Sequence, residues 1–315
     1  MSSDESSLLF HALALLPVSI FSAVTLYELS LLVLGSPKLA RFATLLSLLP
    51  SSPTTLRLAA SPEGWYTCTV YRGMLHCARK EWFRAALWFM IAGSFRSNGI
   101  TLAGFLLWGI AIEPFLLNKK ISLAHLCKSI PLAGMVFAPF VYHHFNAFLA
   151  FCLTPDISPP EWCSRTIPSI YGYVQAKYWN VGLFKYWTPQ QLPNFILPAP
   201  ALLLLFSFTY WYLRDLHLHW RAAMEQPSSA SSPRSPFLTI KLAPHVIHTC
   251  FMGVTLLVAS HTQITLRLAA SMPTIYWAAA WLHYDQPSLA RLWVWWSFLW
   301  GGISIVLWTA FLPPA

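Results

Sequence analysis

Charge is scarce in this 315-residue chain: Asp, Glu, Lys and Arg make up only 10% of it, and 11 residues are acidic. Hydrophobic residues reach 56%, with a mean hydropathy of +0.53. A soluble domain carries far more charge, so that class is excluded. The formal net charge of +9 is scattered over short segments between apolar runs, which excludes a nucleic-acid-binding patch. No Cys or His cluster has zinc-site spacing, so no metal-ligating residues are assigned and no cofactor is expected; whether a metal is required stays open at this point. No Asn-x-Ser/Thr sequon occurs, so N-glycosylation cannot report topology. The first residues are acidic and no basic stretch precedes the first apolar run, so no cleaved leader is expected.

What is present is a series of long apolar runs. They cover Leu8 to Leu34, Leu39 to Leu49, Ala85 to Leu117, Leu123 to Phe151, Ile196 to Leu213, His245 to Ala259, Ile264 to Leu282 and Leu292 to Leu312. The longest exceed the ~20 residues a helix needs to cross a bilayer. Unbroken runs argue against a barrel, whose strands alternate apolar and polar residues. The expectation is an all-α, multi-pass membrane domain over residues 1–315, with roughly seven or eight apolar segments. Pro114, Pro131, Pro139, Pro198 and Pro200 interrupt these runs, which predicts short re-entrant pieces beside full spans.

Basic residues set the sidedness. Lys38, Arg41, Arg79, Lys80, Arg84, Lys119, Lys120, Arg214, Arg221, Arg234 and Lys241 fall in four connections and are placed on the cytoplasmic side. Residues 153–195 then lie on the opposite side, and 214–243 form a cytoplasmic loop with a flexible linker at 226–236. An acidic tip outside and Lys38 inside give an N-terminus-out first helix, which leads us to expect a further helix upstream. The heptapeptide TLRLAAS occurs at Thr55 to Ser61 and at Thr265 to Ser271, with flanks that do not match. One shared heptapeptide does not supply the extended repeats a transporter would need.

Several residues stand out chemically. Residues 170–197, IYGYVQAKYWNVGLFKYWTPQQLPNFIL, are polar and aromatic between two apolar runs. Gln175, Tyr178, Trp179, Asn180 and Asn194 suit a sugar, whose ring faces stack on aromatics and whose hydroxyls bond to amides. Arg96 and Asn98 stand in an apolar run in the tract Arg-Ser-Asn-Gly, where Gly99 permits close backbone packing or a bend. A buried Arg is costly, so Arg96 either lines a polar cavity and binds phosphate or pairs with a carbonyl, Glu28 or Glu113. Gln263 and Arg267 share a helical face beside His261 and could hold a lipid phosphate; a snorkelling Arg267 fits the same pattern. Glu28 is an acid inside the first long run, either a cavity acid or the partner of an Arg. Glu63, like Asp156, Glu161 and Asp285, is read as a solvated acid on the non-cytoplasmic side. His143 and His144 point to different faces and are read as packing. Trp293, Trp295, Trp296 and Trp300 are read as an interfacial belt. Cys152 and Cys163 bracket the polar segment; a disulfide and two free thiols both fit their spacing.

These tracts together resemble one family. They are PVSIFSAVTLYE from Pro17, FRSNGI at Phe95 to Ile100, FC at Phe151-Cys152, PEWC at Pro160 to Cys163, and IPSIYGYVQAKYWNVGLFKYW from Ile167. QLPNFILPAP, HTQITLRLAAS and PTIYW follow. The ordered series is similar to the PIG-V family of GPI mannosyltransferases. The resemblance implies a large multi-pass (GT-C type) glycosyltransferase of the endoplasmic reticulum membrane. It would transfer the second, α-1,6-linked mannose from dolichyl-phosphate mannose to the GPI precursor glycolipid among membrane lipids. A small membrane partner subunit is also implied. Arg96 and Arg267 would bind the donor phosphate, and Asn98, Gln175, Tyr178, Trp179, Asn180, Asn194 and Gln263 the substrates. An oxidising lumen would favour a Cys152–Cys163 bridge. The family's luminal Trp-Asp motif, which supplies the expected base, and its FFPLxP tract have no counterpart here. The base is therefore unassigned, with Glu28 as the candidate acid. A non-catalytic or truncated member serving as a membrane scaffold is the alternative.

Overall fold

A computed structural model describes residues 3–49, 61–118, 123–153, 158–225 and 235–309. Among the described residues there are helices, turns and irregular segments but no strand, as backbone groups in lipid require. Helix α1 (Ser3–Leu34) ends at Gly35, whose φ of 67° places it in the left-handed region that favours glycine. Ser36 then caps α2 (Pro37–Ser47) through the Leu39 N–H, with Pro37 in the first turn. Helices α3 (Glu63–Ala78) and α4 (Trp82–Phe95) follow. Residues 97–118 form one bent helical segment: a 3-10 turn at Ser97–Leu102, α5 (Ala103–Leu107), a π-turn at Trp108–Ile112 and α6 (Glu113–Asn118). Beyond them come α7 (Leu123–Cys152), α8 (Ile170–Lys177), α9 (Leu192–Ile196), α10 (Ala199–Glu225), α11 (Ala243–Val258), α12 (Thr265–Ala269), α13 (Pro273–Asp285) and α14 (Pro287–Thr309).

Five of these segments are long and apolar enough to cross a membrane among the described residues, or six if α9 and α10 form one span bent by 68°. Two of the expected runs are shorter pieces. Leu39 to Leu49 is the 11-residue α2, and Ile264 to Leu282 is divided into α12 and α13. The run Ala85 to Leu117 breaks at Arg96, whose extended backbone (φ −147°, ψ 137°) stops α4. The linker 226–236 falls almost wholly outside the described residues, as does most of the first TLRLAAS copy.

The core lies where α13 passes between α1, α2, α10 and α11, with Trp277, Tyr276 and Tyr212 fully buried. Trp277 donates Nε1–H to Ser30 Oγ at 2.8 Å, and Tyr71 donates to the Ala270 carbonyl. Trp293 and Trp300 are buried against this core, not spread along an interface, while Trp295 alone of the four is exposed.

Two ion pairs mark the two ends of α3. Arg79, just past its C-terminus, meets Glu28 of α1 at 2.7 Å, with both side chains about 40% exposed. Glu63, its first residue, meets Arg96 at 2.8 Å. Sixteen residues of helix separate the pairs by roughly 24 Å. Midway between them Arg72 lies over Phe21 and Trp88, its guanidinium 4.8 and 5.8 Å from the ring centroids, in a cation–π sandwich. At the Arg79 end, hydrogen bonds from His76 and Arg84 hold the Glu81 carboxyl below its usual pKa. A depressed folded-state value stabilises the fold above the unfolded pKa and is lost as pH falls through the folded one. Thermal melts in acid should therefore lose a small increment that Glu81→Gln lacks.

Candidate functional site at the Arg96 end

The end of the bundle that carries Phe95, Cys152 and Val258 gathers most of the polar chemistry. Arg96 donates Nη1–H to Glu63 Oε1 at 2.8 Å, and its guanidinium stands 6.0 Å from the Tyr66 ring centroid. Tyr66 lies one turn along α3 from Glu63, so α3 presents both to the break that follows α4. Asn98 donates Nδ2–H to the Tyr66 hydroxyl at 2.8 Å. Thr101 donates to the Asn98 carbonyl and bonds to His248 of α11 at 3.0 Å, tying the turn to a fourth helix. Glu63 is only 8% exposed, and its Oε2 is buried without a hydrogen-bond partner. It is not the solvated acid the sequence suggests: a helix start that is packed against Arg96 and Tyr66 excludes water from it.

The segment 158–197 folds over this end. A disulfide joins Cys152, the last residue of α7, to Cys163. Ser169 caps α8 through the Gly172 N–H and bonds to His144 at 2.9 Å. Next to it Ser97 donates to the Tyr171 hydroxyl at 2.9 Å. From Tyr171, α8 and the turn after it reach Trp179, roughly 12 Å along at helical rise. There His261 Nε2 meets the Trp179 carbonyl at 2.7 Å. Tyr186 donates to Gln263 Oε1 at 3.2 Å, and its ring lies tilted 4.6 Å from that of His261. Phe184 N–H and Trp187 Nε1–H donate to the carbonyls of Val258 and Leu257, fastening the loop to the end of α11. Burial holds the Tyr186 phenol above its usual pKa, against a hydrogen bond with Asn194. Replacing Cys152 and Cys163 by Ser should lower stability by about 2–4 kcal/mol, read as a drop in melting temperature that reductant reproduces in the unmodified chain.

The expected site residues thus divide. Arg96 and Asn98 share one cluster with Glu63 and Tyr66; Trp179, Asn194 and Gln263 belong to a second, and α8 spans the two. Tyr178 and Trp179 are 69% and 59% exposed, each in an edge contact, with Tyr173 and His261 respectively. Gln175 is half-buried, and its carbonyl accepts from Val181 N–H. Asn180 takes φ 49°, so its first task is the turn, a conformation Asn tolerates. Arg267 is half-buried on α12, one turn beyond Gln263. Glu28 is the exception: it pairs with Arg79 at the far end of α3 and cannot support a site at Arg96. Tyr66 and Tyr186 have no role in the sequence reading, and Glu63 figures there only as a solvated acid, although sidedness puts it on the same side as the loop.

The sequence model of the family described as Mannosyltransferase (PIG-V) matches residues 7–315. The chain belongs to the PIG-V mannosyltransferase family. It is 32% identical over 317 residues to "GPI mannosyltransferase 2" of Cryptococcus neoformans, covering 93% of this chain and 73% of that protein. It is 31% identical over 326 residues to "GPI alpha-1,6-mannosyltransferase 2" of Mus musculus, covering 91% of this chain and 65% of the mouse protein. A Yarrowia lipolytica "GPI mannosyltransferase 2" is 30% identical over 324 residues, covering 100% and 78% respectively. The chain therefore spans about two thirds to three quarters of the length of these curated relatives. No solved structure matches it.

Proposed function

We propose that this chain is a glycosyltransferase of GPI-anchor assembly, working in the endoplasmic reticulum membrane. It would transfer mannose from dolichyl-phosphate mannose to the GPI precursor, forming the second, α-1,6 mannose linkage. The observation that carries this reading is the Arg96–Glu63 pair beneath an aromatic and amide-rich cover, in a chain of this family. Arg79, Arg84 and Lys241 sit at the opposite end of the bundle, so the positive-inside rule supports a luminal Arg96 end.

Transfer from a β-linked donor to an α linkage inverts the sugar carbon. The acceptor hydroxyl oxygen forms the new bond to C1 as the bond from C1 to the phosphate oxygen breaks. The hydroxyl proton leaves to a base, and the prenyl phosphate departs with the electron pair. Arg96 suits the departing phosphate because a guanidinium offers a fork of donors to its oxygens. Glu63 is a positioning residue that fixes the orientation of that fork. Arg267 would serve as a second cation, and Trp179, Tyr178, Gln175, Asn180, Asn194 and Gln263 as the wall that meets sugar hydroxyls. A small membrane subunit belongs to the same reading; the Arg72 sandwich, at membrane depth, supports the α1–α4 face as its place.

Expression in cells lacking the second GPI mannosyltransferase tests the proposal. Return of GPI-anchored proteins to the cell surface is expected. Correct membrane insertion with no return would refute it.

A further inference from the structure

A groove of about 840 Å³ opens between α4 and α7, beside Arg96. Its floor is Gly93, where a Cβ would lie 3.4 Å from the Val136 carbonyl, so the two helices touch there. Its walls are Met90 on α4 with Ala138 and Pro139 on α7; its upper end holds Arg96 and His143. Met90 precedes Arg96 by six residues, so the groove descends roughly 9 Å along α4 from the polar end. Ala138 and His143 on its rim are exposed on the outer face of α7, so it opens sideways, where a membrane helix meets lipid.

We infer that this groove holds the isoprenoid chain of the donor, with its phosphate against Arg96 and His143. The inference rests on the proposed function and adds which substrate enters where. The groove is mostly apolar, with Ser94 on α4 among its lining, and carries Arg96 with the Ser97 and Tyr171 hydroxyls at one end, the polarity of a prenyl phosphate. Arg96 gives one N–H bond to Glu63, and its other donors have no protein partner among the described residues. Among the described residues His143 has a ring contact with His144 and no hydrogen bond. The acceptor carries several sugars and needs a long polar wall, which is at the other end of α8, at Trp179 and Gln263. Donor and acceptor would then reach the Arg96 end by separate surfaces, the groove and the wall.

The test is photolabelling of the full chain in nanodiscs with a diazirine-bearing prenyl-phosphate mannose, with labelled peptides mapped by mass spectrometry. Label is expected in α4 and α7, displaced by dolichyl phosphate and not by phosphatidylinositol at the same concentration. Ala138→Trp, which fills the groove from an exposed position, should cut labelling about tenfold, whereas Ile130→Trp, exposed on the same helix outside the groove, should not. Label elsewhere, equal displacement by phosphatidylinositol, or undiminished labelling of Ala138→Trp would overturn the inference. Labelling as expected in a chain that transfers no mannose would instead count against the proposed function alone.

Discussion

Glu63→Ala is expected to abolish mannose transfer and to destabilise the fold by about 3 kcal/mol, because it leaves the Arg96 guanidinium half-buried without its carboxylate. The Glu63–Arg96 pair differs from a surface ion pair, which contributes little. It closes the break between α4 and the Ser97–Leu102 turn, and it sets the direction in which the guanidinium points. Glu63→Gln keeps the shape and a hydrogen-bond acceptor, so it should retain more stability than Ala while still losing transfer. The double variant Glu63→Leu with Arg96→Met removes both charges and should recover most of the lost stability without recovering activity. Melting temperature and transfer rate, measured on the same preparations, separate the two effects. Wild-type transfer by Glu63→Ala would remove the pair from the account.

The second large effect is expected at Gly99. A Cβ there would lie 2.6 Å from the Gly93 Cα and 2.8 Å from the Gly93 nitrogen. Both are backbone atoms, so no side chain can swing aside, and the turn itself must move. Gly99→Ala should cost about 1–3 kcal/mol through this overpacking. It should also shift Asn98 and Arg96, and a displacement of about 1 Å at a substrate-positioning group can lower turnover by about 100-fold. Gly104→Ala is the matched control. Nothing lies within 4 Å of its added Cβ, and Ala is the better helix former, so stability should hold or rise. Equal behaviour of the two variants would mean that the close approach of α4 and the turn is not what fixes the site.

Much of this architecture is legible from hydropathy alone, because a chain in lipid has few options beyond helices. Leu123 to Phe151 is one helix although Pro131 and Pro139 predict a break in it: both prolines lie inside α7, which continues through them. Ala85 to Leu117 reads as one run and is not one helix, since apolar composition runs unbroken past Arg96 while the backbone turns there. Arg96 and Asn98 were recognisable because a charge and an amide in an apolar run need a reason. Their partners were not, for Glu63 and Tyr66 stand about 30 residues earlier, and only the packing of α3 against α4 joins them. Glu28 has two readings in the sequence, a cavity acid or the partner of an Arg; its helix carries it to the Arg79 end, where the second holds. Arg72 escaped notice because α3, EGWYTCTVYRGMLHCA, is too mixed in composition to read as buried.

The central claim is that sugar transfer takes place at the Arg96 end of the bundle. The most direct measurement is mannose transfer by the purified chain in liposomes, from dolichyl-phosphate mannose to a mannosyl-glucosaminyl-phosphatidylinositol acceptor. Arg96→Ala and Arg79→Ala each break one ion pair, at opposite ends of the same helix. An α-1,6-linked product is expected from the unmodified chain and from Arg79→Ala, and none from Arg96→Ala. Equal loss in both variants, or a product with another linkage, would contradict it.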